Sequence, residues 1–84
     1  MSDAPPATTR YFREQVLRKR PYLRLEWCAA VIASPLMRES QSDGRIRHWA
    51  FVPELGRYLR VVTLADGQTI HNAFADRNFE PEKK

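Results

Sequence analysis

The chain has 84 residues, which is enough for one domain with a single hydrophobic core and excludes a second catalytic domain. Its 14 basic residues outnumber the 10 acidic ones, and the net charge of +4 is compatible with a polyanion as partner. No apolar run approaches the length of a membrane span, and the first residues lack a charged segment that leads into an apolar one. We therefore expect a cytoplasmic protein with no membrane partner.

The only cysteine, Cys28, lies in an apolar run and rules out a disulfide within the chain. The two histidines are far apart in sequence, which argues against a structural zinc site. We expect no metal and no cofactor, and we interpret Cys28 as a buried, unreactive thiol.

Composition divides the chain into three parts. Residues 1–8 include Pro5-Pro6 and small residues without periodicity, so they are predicted to be a disordered lead-in. Residues 9–79 form one domain, and residues 80–84 form a disordered, charged tail.

Two short helices are predicted at the start of the domain. Thr8 or Thr9 can cap a first helix that runs to about Arg18. A second helix runs from about Tyr22 and ends before Pro35, with Trp27 as the largest side chain that it contributes to the core.

A basic cluster ends the first helix, and Arg20 is its last member. Cations at this end complement the helix dipole, which is sufficient reason for part of the cluster. Contact with phosphate is the alternative, so Arg20 is a candidate nucleic-acid-binding residue.

After Pro35 the apolar period changes from 3.6 to 2, which predicts strands over residues 36–42, 45–52 and on both sides of Asp66-Gly67. Asp43-Gly44 and Asp66-Gly67 are predicted to form type I′ hairpin turns. The predicted fold class is α+β, with two N-terminal helices packed on one face of a four-stranded antiparallel meander.

The last hairpin holds the candidate catalytic residues. A two-residue turn at Asp66-Gly67 places Val62 opposite His71, and Arg60 opposite Ala73. Arg60 and His71 then share one face, and Arg77 continues the same alternation past the strand. The alternative is that these arginines are merely solvated and that the histidine is structural.

The sequence allows two possible registers for the second strand. With a four-residue loop over residues 53–56, the face of Arg60 gains four side chains of strand two, whereas a three-residue loop places His48 there instead. The first register is favoured, because arginines beside an aromatic ring suit single-stranded nucleic acid. Its four side chains are Arg45, Arg47, Trp49 and Phe51.

The chain resembles the RelE/ParE superfamily of small bacterial toxins, in particular BrnT-type members and related small domains of unknown function. The likeness covers residues 9–79. It consists of the basic helix end, the second helix, a strand that follows Pro35, and arginines at Arg60 and Arg77.

This resemblance implies the toxin of a type II toxin-antitoxin pair, a metal-independent endoribonuclease acting on free or ribosome-bound mRNA. A cognate antitoxin would cover its cationic face. Arg60 and Arg77 match phosphate-stabilising arginines of the family, and His71 would be a general base or acid. Several members use a C-terminal tyrosine where this chain has Phe79, which can stack on a base but cannot transfer a proton.

Other functions remain open. The same face suits a non-catalytic module that binds nucleic acid or protein, and some family members act on gyrase. A third alternative is an antitoxin-like or assembly subunit. The sequence leaves the oligomeric state open, a homodimer included.

Overall fold

The structure is a computed structural model that describes residues 6–81. Most of the predicted disordered segments, residues 1–5 and 82–84, lies outside the described residues. The described chain forms two helices followed by a four-stranded antiparallel sheet in the order β1-β2-β3-β4. The predicted α+β architecture is therefore confirmed. No helix within residues 6–81 has both the length and the apolar character needed to cross a bilayer.

The first helix covers residues 10–19, with a π-helical segment at Phe12–Val16 and a final α-helical turn at Leu17–Lys19. Thr9 caps its start, because the hydroxyl oxygen accepts a hydrogen bond from the backbone N–H of Phe12 at 3.1 Å. Phe12 and Val16 are both buried, so the helix rests on the sheet through one apolar stripe.

The second helix is Leu25–Ala33, shorter at its start than the sequence pattern predicts. Its buried residues are Cys28 and Val31. Trp27 packs against the core as predicted for this helix, but it is only half-buried. Among the described residues, the largest fully buried side chain is Phe12 of the first helix.

The strands are β1 Met37–Ser40, β2 Ile46–Val52, β3 Arg57–Thr63 and β4 Ile70–Ala75. Both helices pack on one face of this sheet, which we call the inner face. The core between them is aliphatic apart from Phe12 and Cys28, and burial raises the pKa of the Cys28 thiol to about 12. The sheet contributes Val52, Leu59, Val61, Ile70 and Ala73 to this core.

The register between β2 and β3 confirms the four-residue loop. Val52 lies opposite Arg57, and Trp49 lies opposite Arg60. His48 lies opposite Val61 on the inner face, where it is 1% exposed.

The hairpin turns differ from the predicted type I′. That type needs positive φ at both central residues, whereas only the glycines have positive φ, with Gly67 at 71°. The Gly67 N–H donates to the Leu64 carbonyl, and the Asp66 carboxylate accepts from the backbone N–H groups of Gln68 and Thr69. The turn at Asp66 is thus stabilised by side-chain hydrogen bonds of the aspartate.

The register between β3 and β4 follows the prediction only near the turn. Thr63 pairs with Ile70 as predicted, but a bulge follows, and Val62 then pairs with Asn72 instead of His71. Arg60 consequently lies opposite Phe74, and the prediction that it faces Ala73 is wrong.

The bulge turns Ala73 toward the core and Phe74 away from it. The first helix packs against β4, and Ala73 belongs to the same buried cluster as Phe12 of that helix. A small residue on this side of β4 leaves room for the helix, which favours the shifted register.

Candidate nucleic-acid interface

The side of the sheet away from the helices carries arginines and aromatic rings. We call it the outer face. Its members follow from the strand register, because residues paired across strands share a face. The central members are Arg47, Trp49 and Phe51 on β2, Tyr58, Arg60 and Val62 on β3, and Asn72 and Phe74 on β4.

Arg60 is at the centre of the outer face, with a side chain that is 25% exposed. Its guanidinium carbon lies 5.6 Å from the ring centre of Trp49 on β2 and 5.0 Å from that of Phe74 on β4. Both contacts are cation–π interactions, and they hold the guanidinium between its two neighbouring strands.

Asp76 is the anionic partner of Arg60, and its side chain is 11% exposed. The carboxylate Oδ2 accepts a hydrogen bond from Trp49 Nε1 at 3.0 Å and lies 3.8 Å from Arg60 Nη1. Because Asp76 turns toward Trp49, it joins the outer face and leaves Arg77 outside it.

A chain of aromatic contacts crosses the same face. The ring of Phe79 stacks on Trp49 with centroids 5.1 Å apart and planes inclined by 14°, and it also contacts Tyr58 at 5.1 Å. Tyr58 meets Phe51 edge to face at 5.3 Å. Trp49 is only 5% exposed, whereas Phe51 is 50% exposed.

Arg20 reaches the outer face from the segment between the helices. Its guanidinium carbon lies 5.7 Å from the ring centre of Phe74, which also contacts Arg60. The Phe74 ring therefore contacts two guanidinium groups, and Arg20 lies on the same face as Arg60.

The two other predicted nucleic-acid contacts are paired with carboxylates. Arg47 Nη1 lies 2.9 Å from Glu39 Oε1, and Arg45 Nη1 lies 3.6 Å from Asp43 Oδ2. These ion pairs are solvent-exposed and weak, so both arginines can exchange partners.

His71 is held away from Arg60. Its Nδ1 is hydrogen-bonded to the Thr9 hydroxyl at 3.1 Å, and its ring stacks on Tyr11 with centroids 4.9 Å apart. Burial lowers the pKa of His71 below its ordinary value, and the charge of Arg45 lowers it further. The lowered pKa favours the neutral form of the imidazole at pH 7.

His48 is buried on the inner face, which separates it from the outer face altogether. Its Nδ1–H donates a hydrogen bond to the Val61 carbonyl at 3.1 Å. Burial lowers its pKa, and the charge of Arg38 adds to that effect.

Arg77 is exposed and lines a separate depression with Tyr22 and Arg57. Among residues 6–81, no hydrogen bond, ion pair or ring contact joins it to Arg60 or His71. The three predicted catalytic residues thus do not form one contacting site. Arg60 is held by rings of the sheet, and His71 is held by the N-terminal segment. Arg77 lies on the turn after β4, away from both.

Three outer-face residues were missed or misplaced from the sequence. The alternation of Ile70 predicts that Asn72 and Phe74 face the core, and the bulge reverses the direction of both. Asp76 was not recognised as a partner of the site. Tyr58 shares the alternation of Arg60, and the structure places it on the same face, as the sequence predicts.

No family model, curated protein or solved structure matches this chain. Within the described part of the chain, no group of three or more His, Cys, Asp or Glu side chains is arranged to hold a metal ion. The charged and aromatic groups of the outer face are arginines, rings and the carboxylates of Asp76 and Glu39.

Proposed function

We propose that this domain binds single-stranded RNA on the outer face of its sheet, with Arg60 as the central phosphate ligand. The observation that carries the proposal is the position of the Arg60 guanidinium between Trp49 and Phe74. Arginine between rings suits a strand whose phosphates need cations and whose bases stack on aromatic or guanidinium planes.

The hydrogen bonding of Arg60 is incomplete in the free protein, which favours an anionic ligand. Its Nε is buried without a hydrogen-bond partner, and its contact with Asp76 is long at 3.8 Å. Buried donors normally have acceptors, and a phosphate offers several oxygens to a guanidinium. A phosphodiester at Arg60 would supply the acceptor that the nearby carboxylate does not.

A second phosphate contact is proposed at Arg20. Phe74 holds Arg20 and Arg60 on the same ring, so the two guanidinium groups are spaced by a fixed side chain. Successive phosphates of one strand are the matching ligand. The likeness of the sequence to RelE-type toxins supports RNA as the polymer.

The proposed stacking surface starts at Phe51, the most exposed ring of the outer face. The Phe51 ring is supported on one side by its contact with Tyr58, and its exposed side is available to stack on a base. The Trp49 ring becomes available to a base only when Phe79 leaves it.

Binding of a fluorescent single-stranded RNA, followed by anisotropy over a range of salt concentrations, tests the proposal. The logarithm of affinity should fall by about 0.7 for each neutralised phosphate per logarithmic unit of salt. Arg60→Gln should weaken binding by about tenfold or more, because a charged hydrogen bond is worth ~1.5–3 kcal/mol.

Arg10→Gln is the matched control. Arg10 lies on the first helix in an exposed ion pair with Glu14, and its loss changes the net charge equally. Equal weakening by Arg10→Gln and Arg60→Gln would refute a specific site. A preference for DNA of the same sequence would refute RNA as the ligand while retaining the face.

Endoribonuclease activity of a RelE-type toxin is a second candidate. It is favoured by Asp76, whose carboxylate stands beside Arg60 and offers a base next to a phosphate-stabilising cation without a metal. Incubation of end-labelled RNA in EDTA with wild-type protein, Arg60→Gln and Asp76→Asn tests it. If the protein binds RNA without cleaving it, only the non-catalytic RNA-binding function is retained. Binding of a cognate antitoxin to the outer face would support the function of a toxin.

A further inference from the structure

A shallow depression of about 290 Å³ lies at the end of the sheet where β3 begins and β4 ends. The turn between the helices contributes Tyr22, the β2–β3 loop contributes Leu55, and the strand ends contribute Arg57 and Ala75. Arg77 completes the lining from the turn after β4. Three separate parts of the chain therefore meet around this depression.

The polar side chains of the depression are donors. Arg57 and Arg77 are exposed, and among residues 6–81 neither forms an ion pair with a carboxylate. None of the described residues that line the depression is acidic. Within residues 6–81, the two positive guanidinium groups therefore have no counter-charge in the depression.

The Tyr22 hydroxyl adds an oriented donor. Its oxygen accepts a hydrogen bond from the Ala75 N–H at 3.1 Å, which fixes the hydroxyl against β4. A hydroxyl that accepts one hydrogen bond still has its own O–H to donate. The ring is 41% exposed, so a ligand in the depression can reach that hydroxyl.

We propose that Arg57, Arg77 and the Tyr22 hydroxyl form a binding site for a phosphate group, separate from the outer face. Guanidinium groups bind phosphate oxygens through paired hydrogen bonds, and the hydroxyl donates a further one. The walls are apolar at Leu55 and Ala75, which lowers competition from water on those sides. The ligand is a phosphate that is either the end of a nucleic-acid strand or part of a small molecule.

Titration of the protein with inorganic phosphate, followed by the arginine Nε–H signals in ¹H–¹⁵N NMR spectra, tests this site without RNA. The signals of Arg57 and Arg77 should shift together and saturate. The double variant Arg57→Gln/Arg77→Gln should weaken phosphate binding by about tenfold or more. Tyr22→Phe, which keeps the ring, should weaken it less.

Arg10→Gln is again the matched control, since it removes one exposed charge from the helix side of the molecule. A shift that does not saturate, or the same weakening in Arg10→Gln as in a single Arg57→Gln variant, would overturn the site. Both altered arginines are exposed, so the double variant should fold, and circular dichroism verifies this.

Two short RNA strands that differ only in a 5′-phosphate distinguish the sources of the ligand. Tighter binding of the phosphorylated strand, lost in the double variant, would identify a strand end. Saturable binding of inorganic phosphate with no such difference would identify a small phosphorylated molecule. Because the phosphate titration uses no RNA, failure of RNA binding on the outer face leaves its result unaffected.

Discussion

The two faces of one sheet are built on different principles. The inner face buries aliphatic side chains such as Leu59 and Val61 against two helices, and its stability comes from removing apolar area from water. The outer face has no helix over it in the described structure, and Arg60 lies there among rings. Adjacent residues of β3 therefore point alternately into the core and onto the face that we propose binds RNA.

This difference shows where substitutions separate folding from binding. A change on the inner face should alter stability and leave the affinity of each folded molecule intact. A change on the outer face should alter affinity with a small effect on folding. The following predictions test that division.

The largest expected effect is on stability. Leu59→Ala should lower the free energy of unfolding by about 2–5 kcal/mol, because it leaves a cavity in the core. Urea denaturation measures it. Met37→Ala removes a side chain of similar size from the outer face, where Met37 is 44% exposed, so it should cost less. An equal cost would contradict the asymmetry.

The next effect is a pH dependence from the inner face. The pKa of His48 is lowered in the folded protein from its ordinary 6.5, mainly by burial. The unfolded chain then binds the proton more readily, so stability is complete above about pH 6.5 and falls as the pH drops below it. Urea denaturation at a series of pH values measures the slope.

His48→Gln should remove most of that slope, since glutamine stays neutral and can still donate to the Val61 carbonyl. His71 has a lowered pKa as well and acts in the same direction. His71→Gln is therefore the control, and it should remove a smaller part of the slope because His71 is less buried. A larger effect from His71→Gln would mean that His71, and not the buried His48, causes most of the pH dependence, which would contradict the prediction.

A smaller effect is expected where the outer face is covered. Phe79→Ala should uncover Trp49 and raise the affinity for single-stranded RNA several-fold, while it lowers stability by about 0.5–1.5 kcal/mol for the lost ring pair. Quenching of Trp49 fluorescence by RNA, in a Trp27→Phe background, reports the stacking directly. Weaker binding by Phe79→Ala would mean that Phe79 itself contacts the strand.

The smallest effect concerns an exposed ion pair of the outer face. Glu39→Gln should change stability by only ~0.2–1 kcal/mol, as is usual for exposed pairs. It releases Arg47, so RNA affinity at low salt should rise slightly. Glu14→Gln releases Arg10 on the helix side instead and should leave RNA affinity unchanged.

The sequence predicted the fold and half of the outer face for identifiable reasons. The sequence allowed two lengths for the β2–β3 loop, and the pairing of Trp49 with Arg60 was favoured because it gathers arginines beside an aromatic ring. The alternation of residues could not reveal the bulge in β4. Ile70 and Phe74 alternate like a regular strand, and only packing in the tertiary structure decides against that pattern.

The position of His71 depended on the same long-range packing. Its partners, Thr9 and Tyr11, come from the start of the domain, more than 55 residues away in sequence. Local alternation gives no information on such a contact. The prediction that Arg60 and His71 share one face is therefore wrong, because the tertiary contacts of His71 could not be inferred from strand pairing.

The N-terminal segment also covers part of the free edge of the sheet. The Ala7 carbonyl accepts from the Ile70 N–H at 2.9 Å, and the Thr9 N–H donates to the Ile70 carbonyl at 2.9 Å, so these residues occupy part of the free edge of β4. Exposed strand edges are templates for aggregation, and β1 at the other edge is short and charged. A variant that starts at Arg10 should consequently aggregate more readily, even though it keeps both helices and all four strands.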